Sequence, residues 1–336
     1  MAMKEDDVIV LAKDGVYNRR RLNGRIEETH ISWVILCEEV VFKIKKPIKL
    51  SFLDFSTLSR RKEMCFNELI LNKRFTDIYH AVVPIRLFNS KFIVGGRNGK
   101  IVDYAVQSRR LDTTRRMDNL LKINQVSPDD IASLAKVVST AHRNCPVLNT
   151  VFSLRQARKL FNNIRQESLY ISKNTGSLYA SIIRKSIHWS NVFLNKHQNR
   201  LRERIAEGFK RDVHGDLHCA NIFIYRKPVV FDCIEFNESF RQIDVLYELA
   251  FLCMDLEAYR KSRLAKTFIS EYNRIFKCIR EPEDKKILNY FKCLRANVRA
   301  KVHVLGAKQS TTGAERTEHM KEAKKYLLLM KRYMLA

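Results

Sequence analysis

The chain has 336 residues, of which 46% are hydrophobic and 29% are charged, a composition typical of a globular protein with one large domain or two lobes. Residues 1–21 alternate acids, bases and short apolar runs, which excludes a signal-peptide pattern. No apolar run approaches the ~20 residues that a membrane-spanning helix needs. We therefore expect a cytoplasmic protein without a membrane segment.

The formal net charge is +26, from 62 Lys and Arg against 36 Asp and Glu. This excess favours attraction to polyanions such as nucleic acid or phosphorylated metabolites. The bases are spread in short clusters such as Arg19–Arg21, without a basic tail or a nucleic-acid motif, so a solvated basic surface is an equal alternative. Residues 233–258 reverse the sign, with six acids and one base.

The eight cysteines are scattered and form no C-x-x-C pair, the usual sign of a zinc or redox site. Single cysteines in apolar surroundings are usually small buried side chains. We therefore predict buried, chemically quiet thiols.

Residues 1–107 are rich in strand patterns. Trp33–Leu36 and Val40–Ile44 are β-branched and aromatic runs that predict a hairpin. A helix is predicted from about Thr57 to Phe75, and strands follow at 82–89, 91–94 and 101–107.

Residues 108–336 are mainly helical. Ser127 followed by a proline and two acids predicts a helix start, and the remaining helices are predicted at 152–170, 178–209, 243–258, 264–279, 287–305 and 317–334. A short strand pair is expected at Ile222–Tyr225 and Val229–Phe231. The order predicts an α+β fold of two lobes: a small antiparallel sheet with one helix over 1–107, and a larger helical lobe over 108–336.

The segment His214–Asn221 carries the chemistry. Phosphoryl transfer from ATP needs one carboxylate that orients or deprotonates the attacking hydroxyl, and oxygen ligands that hold magnesium. Asp216 and Asn221 are five residues apart, the separation of the catalytic Asp and the metal-binding Asn in protein kinases. The strand pair that follows ends in a second acid, Asp232.

This pattern, H-G-D-L-H-x-x-N with a later apolar-Asp, resembles the motifs of aminoglycoside phosphotransferases and their choline-kinase and fructosamine-kinase relatives. Further segments are similar to one uncharacterised bacterial branch of that family: Glu28–Val34, Lys43–Pro47, Phe52–Leu58, Phe231–Asn237 and Arg295–Val302. Members of that branch are often fused to a C-terminal P-loop domain. No G-x-x-x-x-G-K-[ST] occurs in this sequence, so we expect any activity to come from the kinase-like part.

The resemblance implies a bilobal protein-kinase-like fold and an ATP- and magnesium-dependent enzyme. By matching position, it implies Asp216 as the catalytic base and Asn221 and Asp232 as the magnesium ligands. It further implies that Lys43 pairs with the α- and β-phosphates of ATP and that Glu68 holds this lysine.

The choice of phosphate lysine stays open. Glu68 has Cys65 and Leu69 at helical spacing, which predicts an inward-facing acid. Lys45 shares a strand face with Lys43 and is the alternative to it, although Lys43 is preferred.

The sequence departs from the kinase pattern before the first hairpin, where residues 29–32 replace a glycine-rich loop. The Ser32 hydroxyl and nearby backbone N–H groups are expected to cover the phosphates, with an ordinary β-turn as the equal alternative. The hinge is predicted at 106–109, where the backbone groups of Gln107 and Ser108 meet adenine.

Other residues of the region carry weaker expectations. Gly215 replaces the arginine of H-R-D, and no A-P-E follows, which favours a small-molecule kinase over a protein kinase. Asp244 resembles the buried acid that braces the catalytic loop. His218 either packs, which is favoured, or contacts phosphates. The polar residues of 235–238 either meet the acceptor or form a solvated loop.

The predicted function is transfer of the γ-phosphoryl group of ATP to a hydroxyl of an unidentified small molecule. The net charge repels cationic aminoglycosides at long range, but the acidic run can form a local cation-friendly region, so the acceptor stays open. One alternative is a catalytically weak binding or regulatory module with a kinase fold. The other is a nucleic-acid-associated protein, which rests on charge alone. The sequence does not indicate an oligomeric state.

Overall fold

The computed structural model of the chain describes residues 3–50 and 53–335. Met1, Ala2 and Phe52, which belong to segments interpreted above, lie outside the described residues. The helices are α1 (Glu5–Asp14), α2 (Leu58–Asn72), α3 (Met117–Lys122), α4 (Pro128–Asn144), α5 (Leu154–Asn162), α6 (Ser168–Thr175), α7 (Ser177–Ala206), α8 (Val245–Ala258), α9 (Ser262–Ile275), α10 (Pro282–Gln309) and α11 (Gly313–Leu335).

The strands are mostly short. They are β1 (Val16–Tyr17), β2 (Arg20–Arg21), β3 (Arg25–Glu28), β4 (Ser32–Leu36), β5 (Val40–Lys45), β6 (Lys49–Leu50), β7 (Leu53–Asp54), β8 (Tyr79–Phe88), β9 (Lys91–Val94), β10 (Lys100–Arg109), β11 (Lys210–Asp212), β12 (Ile222–Phe223), β13 (Val229–Val230) and β14 (Gln242–Asp244).

The chain divides into two compact units. The first comprises Met1–Asn119, Asn221–Tyr225 and Val229–Arg241. The second comprises Leu120–Ala220, Arg226–Pro228 and Gln242–Ala336. The residues around Asp232 thus belong to the same compact unit as the N-terminal residues. The boundary between functional lobes expected after residue 107 stays a prediction.

An eight-stranded sheet organises the first unit, in the order β2-β1-β9-β8-β10-β5-β4-β3. The predicted hairpin is confirmed as β4 and β5, with Trp33 opposite Ile44. All the pairings are antiparallel except β1 with β9. Alternation along the strands buries Ile35 and Phe42 in a core that also receives Val8 from α1. The predicted antiparallel sheet of the smaller part is confirmed.

Helix α1 is not among the predicted elements. Its acidic first turn suits the positive end of a helix, and Val8, Leu11 and Ala12 are buried at helical spacing. The sequence therefore contains a helical pattern in this segment. The helix has only ten residues and lies before the motifs on which the sequence predictions are based.

Helix α2 confirms the helix predicted from about Thr57, whose side chain accepts a hydrogen bond from the backbone N–H of Arg60 at 3.3 Å. Cys65, Glu68 and Asn72 lie buried on one face of α2. The inward orientation predicted for Glu68 is observed.

The second unit is mainly helical, as predicted. Ser127 caps α4 in a reciprocal pair with Asp130: the Asp130 N–H donates to the serine hydroxyl at 3.1 Å, and the Ser127 N–H donates to the carboxylate at 2.8 Å. The helix expected over 152–170 is wrong in its continuity, because a 3₁₀ turn at Asn163–Glu167 separates α5 from α6. Adjacent asparagines, Asn162 and Asn163, are weak helix formers at that point.

All eight cysteines lie in the described residues and are buried, as predicted, and none forms a disulfide. No helix in the described parts of the chain is long and apolar enough to cross a membrane.

Candidate active site

In the first unit, a two-stranded hairpin brings the two predicted metal ligands to one end. Strands β12 and β13 pair Ile222 with Val230, and the N–H of Phe231 donates to the carbonyl oxygen of Asn221 at 3.1 Å. Asn221 therefore precedes one strand where Asp232 follows the other. Chain reversal in the hairpin thus brings both residues to the same end of it.

The backbone of Asp232 is strained. Its φ angle of 66° lies in the left-handed region, which costs a residue with a side chain roughly 1–2 kcal/mol. Two side chains hold this conformation: the Tyr79 hydroxyl accepts from the N–H of Asp232 at 3.2 Å, and the Asn72 side-chain oxygen accepts from the N–H of Cys233 at 2.9 Å. Strain that is held in place by its surroundings is typical of functional positions.

Lys43 lies between two carboxylates. Its Nζ is 2.6 Å from Oδ1 of Asp232 and 3.0 Å from Oε1 of Glu68. Burial lowers the pKa of Lys43, but Asp232 and Glu68 more than offset it, and the pKa lies well above its ordinary value. The ammonium group is therefore charged at neutral pH.

Lys45 faces the same side of β5 but is completely buried, and its ammonium group contacts both Glu68 and Glu235. The pKa of Glu68 is lowered to about 2, because Lys43 and Lys45 together outweigh the opposing effect of burial. The five side chains form a line of alternating charge, Asp232–Lys43–Glu68–Lys45–Glu235, which we call the ion chain.

The position of Glu235 in the ion chain differs from both predictions made for it from the sequence. Its side chain is only 3% exposed and is engaged by Lys45, so it belongs neither to a solvated loop nor to an acceptor surface. The Asn237 side chain bonds to a near neighbour in the sequence: its oxygen accepts from the N–H of Ser239 at 3.0 Å. Sequence reasoning missed the partner of Glu235 because 190 residues separate it from Lys45.

In the second unit, helix α8 holds the segment around Asp216 by its backbone. Both carboxylate oxygens of Glu248 accept from the N–H of Gly215, at 3.1 and 3.0 Å. A carboxylate oxygen of Asp255 accepts from the N–H of Cys219 at 2.9 Å. Burial raises the pKa of Glu248 to about 7, against the opposing effect of nearby Arg295.

The role expected for Asp244 is therefore wrong. Its two carboxylate oxygens pair with Arg204 at 2.8 Å each, and Oδ1 caps α8 by accepting from the N–H of Leu246 at 2.7 Å. Glu248 and Asp255 brace the loop instead. Their seven-residue spacing places both on one face of α8, a signal that the sequence did contain.

The Asp216 carboxylate is the polar centre of this loop. Its Oδ2 lies 3.3 Å from Nε2 of His218, and its side chain is 37% exposed. Burial alone would raise its pKa, but the positive charges of His218, His214 and Arg295 have a larger opposite effect. The pKa therefore lies well below its ordinary value. His218 also packs on Phe251, with ring centroids 5.2 Å apart, in line with the favoured expectation.

Arg295 is a further residue whose contacts the sequence did not indicate. Its guanidinium lies 3.8 Å from the ring centroid of Tyr247, and Nη2 donates to the carbonyl oxygen of Gly215 at 3.3 Å. Arg295 thereby places a positive charge beside the loop that carries Asp216.

No protein-family model matches the sequence. An uncharacterized protein of Mycobacterium tuberculosis is 25% identical over an alignment of 326 residues, which covers 91% of this chain and 61% of that protein. An uncharacterized protein of Mycobacterium bovis gives the same figures. The chain thus spans 61% of the length of these curated relatives.

Solved structures are similar over almost the whole chain. A choline/ethanolamine kinase family protein from Mesorhizobium loti has a TM-score of 0.54 and 11% identity, covering 99% of this chain and 98% of its own. A choline kinase from Cryptosporidium parvum has a TM-score of 0.54 at 12% identity and 98% coverage of both chains. The GDP and kanamycin complex of APH(2″)-IIIa has a TM-score of 0.52 at 14% identity, covering 98% of this chain and 99% of that one.

The chain has the fold of choline kinases and aminoglycoside phosphotransferases. At these identities the likeness concerns the fold, and it confirms the kinase-like α+β architecture that the motifs predicted.

Within this kinase-like fold, residues 29–32 form the ordinary turn that was one of the two alternatives. The N–H of Thr29 donates to the carbonyl oxygen of Ser32 at 2.9 Å, and the Thr29 hydroxyl accepts from the N–H of Ser32 at 2.9 Å. The Ser32 hydroxyl is buried and has no hydrogen-bond partner among the described residues. Its contact with phosphate stays a prediction.

Gln107 and Ser108 lie in β10 of the kinase-like fold, paired with β5 on one side and β8 on the other. A bulge separates them, and the Gln107 side chain donates to the Tyr17 hydroxyl at 2.8 Å. Their contact with adenine stays a prediction, and the two ladders leave few backbone groups of this stretch available for it.

Proposed function

We propose that the protein is a phosphotransferase that uses ATP and magnesium to phosphorylate a hydroxyl group of a small molecule. The observation that carries this proposal is the position of Lys43 between Glu68 and Asp232. Phosphotransferases with a kinase fold use a strand lysine, a helix glutamate and a metal-binding aspartate together.

Asn221 and Asp232 suit magnesium in their chemistry. Magnesium prefers carboxylate and carbonyl oxygens and keeps several waters, so one Asp and one Asn suffice. The Asp232 side chain is 41% exposed, and its backbone is strained at the end of the hairpin where Asn221 also lies. When bound, magnesium neutralises charge on the phosphate oxygens. Among the described residues, no group of three or more His, Cys, Asp or Glu side chains is placed to hold a metal.

Lys43 is the better candidate for the phosphate contact. Its side chain is 18% exposed and already lies beside Asp232, whereas Lys45 is completely buried between two carboxylates. An ammonium group must reach solvent-accessible phosphate oxygens to pair with them. Glu68, as the partner of Lys43, would hold it in that position.

Asp216 would act on the acceptor hydroxyl. Its low pKa makes it a weak base, so its main contribution would be to orient the hydroxyl and to accept the proton late in the transfer. Glu248 and Asp255 would position it through the loop backbone.

The experiment measures phosphorylated products in metabolite pools incubated with ATP and magnesium, as a mass gain of one phosphate. We expect Asp216→Asn to lower product formation at least about 100-fold, the range for loss of a positioned acid or base. Asp129→Asn, at an exposed position on α4, is the control and should behave like the wild type. Equal rates for the wild type and Asp216→Asn would reject the proposal in favour of a non-catalytic binding module.

A further inference from the structure

Two members of the ion chain have no part in the proposed reaction. Lys43 and Glu68 already provide the lysine–glutamate pair, yet Lys45 is buried beside them and contacts both Glu68 and Glu235. Glu235 follows Asp232 by only three residues. The arrangement requires a reason, because burying charged groups costs several kcal/mol per ion.

Stability alone is a poor reason. A buried ion pair can often be replaced by apolar side chains without loss of stability, whereas removal of one partner leaves a costly unpaired charge. Such pairs are better explained when they fix a conformation. The segment that needs fixing is residues 231–237, which contain no helix or strand.

Side chains hold this segment at successive points. Tyr79 and Asn72 accept from the backbone N–H groups of Asp232 and Cys233. Further along, Arg241 donates to the carbonyl oxygen of Ile234 at 3.0 Å. Two ion pairs attach this segment to β5 in the described residues. One joins Asp232 to Lys43, and the other joins Glu235 to Lys45.

The charges also explain why both members are needed. Lys45 without Glu235 would have Glu68 as its carboxylate partner, in direct competition with Lys43. With Glu235 present, Lys45 is neutralised and Glu68 can serve Lys43 as well. The position of Lys43, and through it that of the Asp232 carboxylate, therefore depends on Glu235.

We infer that Lys45 and Glu235 are positioning residues that fix the Asp232 carboxylate for metal binding. This inference rests on the proposed function, because it takes Asp232 as a magnesium ligand. It assigns Lys45 a role other than phosphate contact, and Glu235 a role other than acceptor binding.

The test measures manganese binding in the presence of ADP by electron paramagnetic resonance, in the wild type, Glu235→Gln and the double variant Lys45→Met/Glu235→Met. Loss of a residue that orients a metal ligand typically weakens metal affinity about 10- to 100-fold. We expect a shift of at least about tenfold in both variants, because each loses the ionic attachment of residues 231–237 to β5 through Glu235. Competition between Lys45 and Lys43 for Glu68 applies to Glu235→Gln alone. The double variant removes both charges and should fold even if Glu235→Gln does not.

A neighbouring ion pair provides the control. Lys46 follows Lys45 in the sequence and contacts Glu28, whose side chain is 53% exposed. Lys46→Met and Glu28→Gln remove a more exposed lysine–glutamate pair outside the ion chain and should leave manganese affinity unchanged.

The outcomes separate the two claims. Wild-type manganese affinity in the double variant would overturn the inference, even if its melting temperature changed, because the pair would then have only a structural role. Absence of manganese binding by the wild type with ADP would instead reject the proposed function.

Discussion

Glu248 is a buried carboxyl group whose protonation depends strongly on its surroundings. Its carboxylate is buried against the N–H of Gly215, and burial raises its pKa to about 7. In the unfolded chain a glutamate has a pKa of about 4.3. Between these two values the folded chain retains a proton that the unfolded chain has lost.

This difference predicts the sign of a pH effect. Where the folded state binds more protons than the unfolded state, the free energy of unfolding falls as pH rises. Glu248 therefore lowers the free energy of unfolding between about pH 4.3 and pH 7, and has little further effect above that range. We expect the difference in unfolding free energy between the wild type and Glu248→Gln to fall by about 2 kcal/mol from pH 5 to pH 7. Urea unfolding at several pH values measures it.

The control is Glu318→Gln, because the side chain of Glu318 is 63% exposed. Its difference from the wild type, measured over the same pH interval, is the baseline for that of Glu248→Gln. Parallel curves for the wild type and Glu248→Gln would show that Glu248 titrates normally.

At the scale of elements, helix α2 is attached to the sheet by buried charges at two points, two turns apart. Arg61 donates through Nε to both oxygens of Asp103 on β10, at 3.0 Å each. Two turns later on the same face, Glu68 contacts the lysines of β5. The first attachment thus fixes the helix that carries the glutamate of the candidate site.

A double-mutant cycle tests this attachment. Arg61→Met and Asp103→Leu should each cost about 3–5 kcal/mol of unfolding free energy, because each leaves a buried unpaired charge. The combined variant should cost less than either single one. Urea unfolding of the four proteins provides the measurement.

The exposed pair Lys321 and Glu318 serves for comparison, since such pairs contribute about 0–1 kcal/mol. Additive losses in the Arg61 and Asp103 variants would mean that the two charges do not depend on each other.

Elements with a long repeating pattern were predictable. The helices expected at 243–258 and 287–305 are confirmed as α8 and α10, because apolar spacing continues through several turns. The break after α5 was not predicted, since the apolar pattern runs through the asparagines. Apolar spacing indicates the type of an element, whereas its boundaries also depend on weak helix formers such as these two asparagines.

At the scale of the whole molecule, the sequence suggests the residues of the candidate site but not their partners. A short motif identified Asp216 and Asn221, because their spacing is local. Glu235 and Glu248 depend on groups that come from other elements, and a single sequence gives no information about such pairs. Asp244 was misassigned for the same reason: its partner, Arg204, lies 40 residues away.

The net charge of +26 has a consequence for the whole chain. Repulsion among like charges destabilises a compact state, and salt screens it, with a Debye length of about 30 Å at 0.01 M and about 8 Å at 0.15 M. We expect the melting temperature to rise by several degrees between these concentrations of sodium chloride. Calorimetry measures the melting temperature, with pH and buffer held constant and only the sodium chloride concentration varied. A flat or falling melting temperature would contradict the expectation.

The left-handed backbone at position 232 limits which amino acids can occupy it. Glycine, asparagine and aspartate tolerate that conformation most readily, whereas a longer acid such as glutamate adopts it less often. The magnesium ligand proposed at this position would need a full negative charge, which only aspartate and glutamate supply. Aspartate is therefore the acid that best combines the main-chain geometry with the required charge.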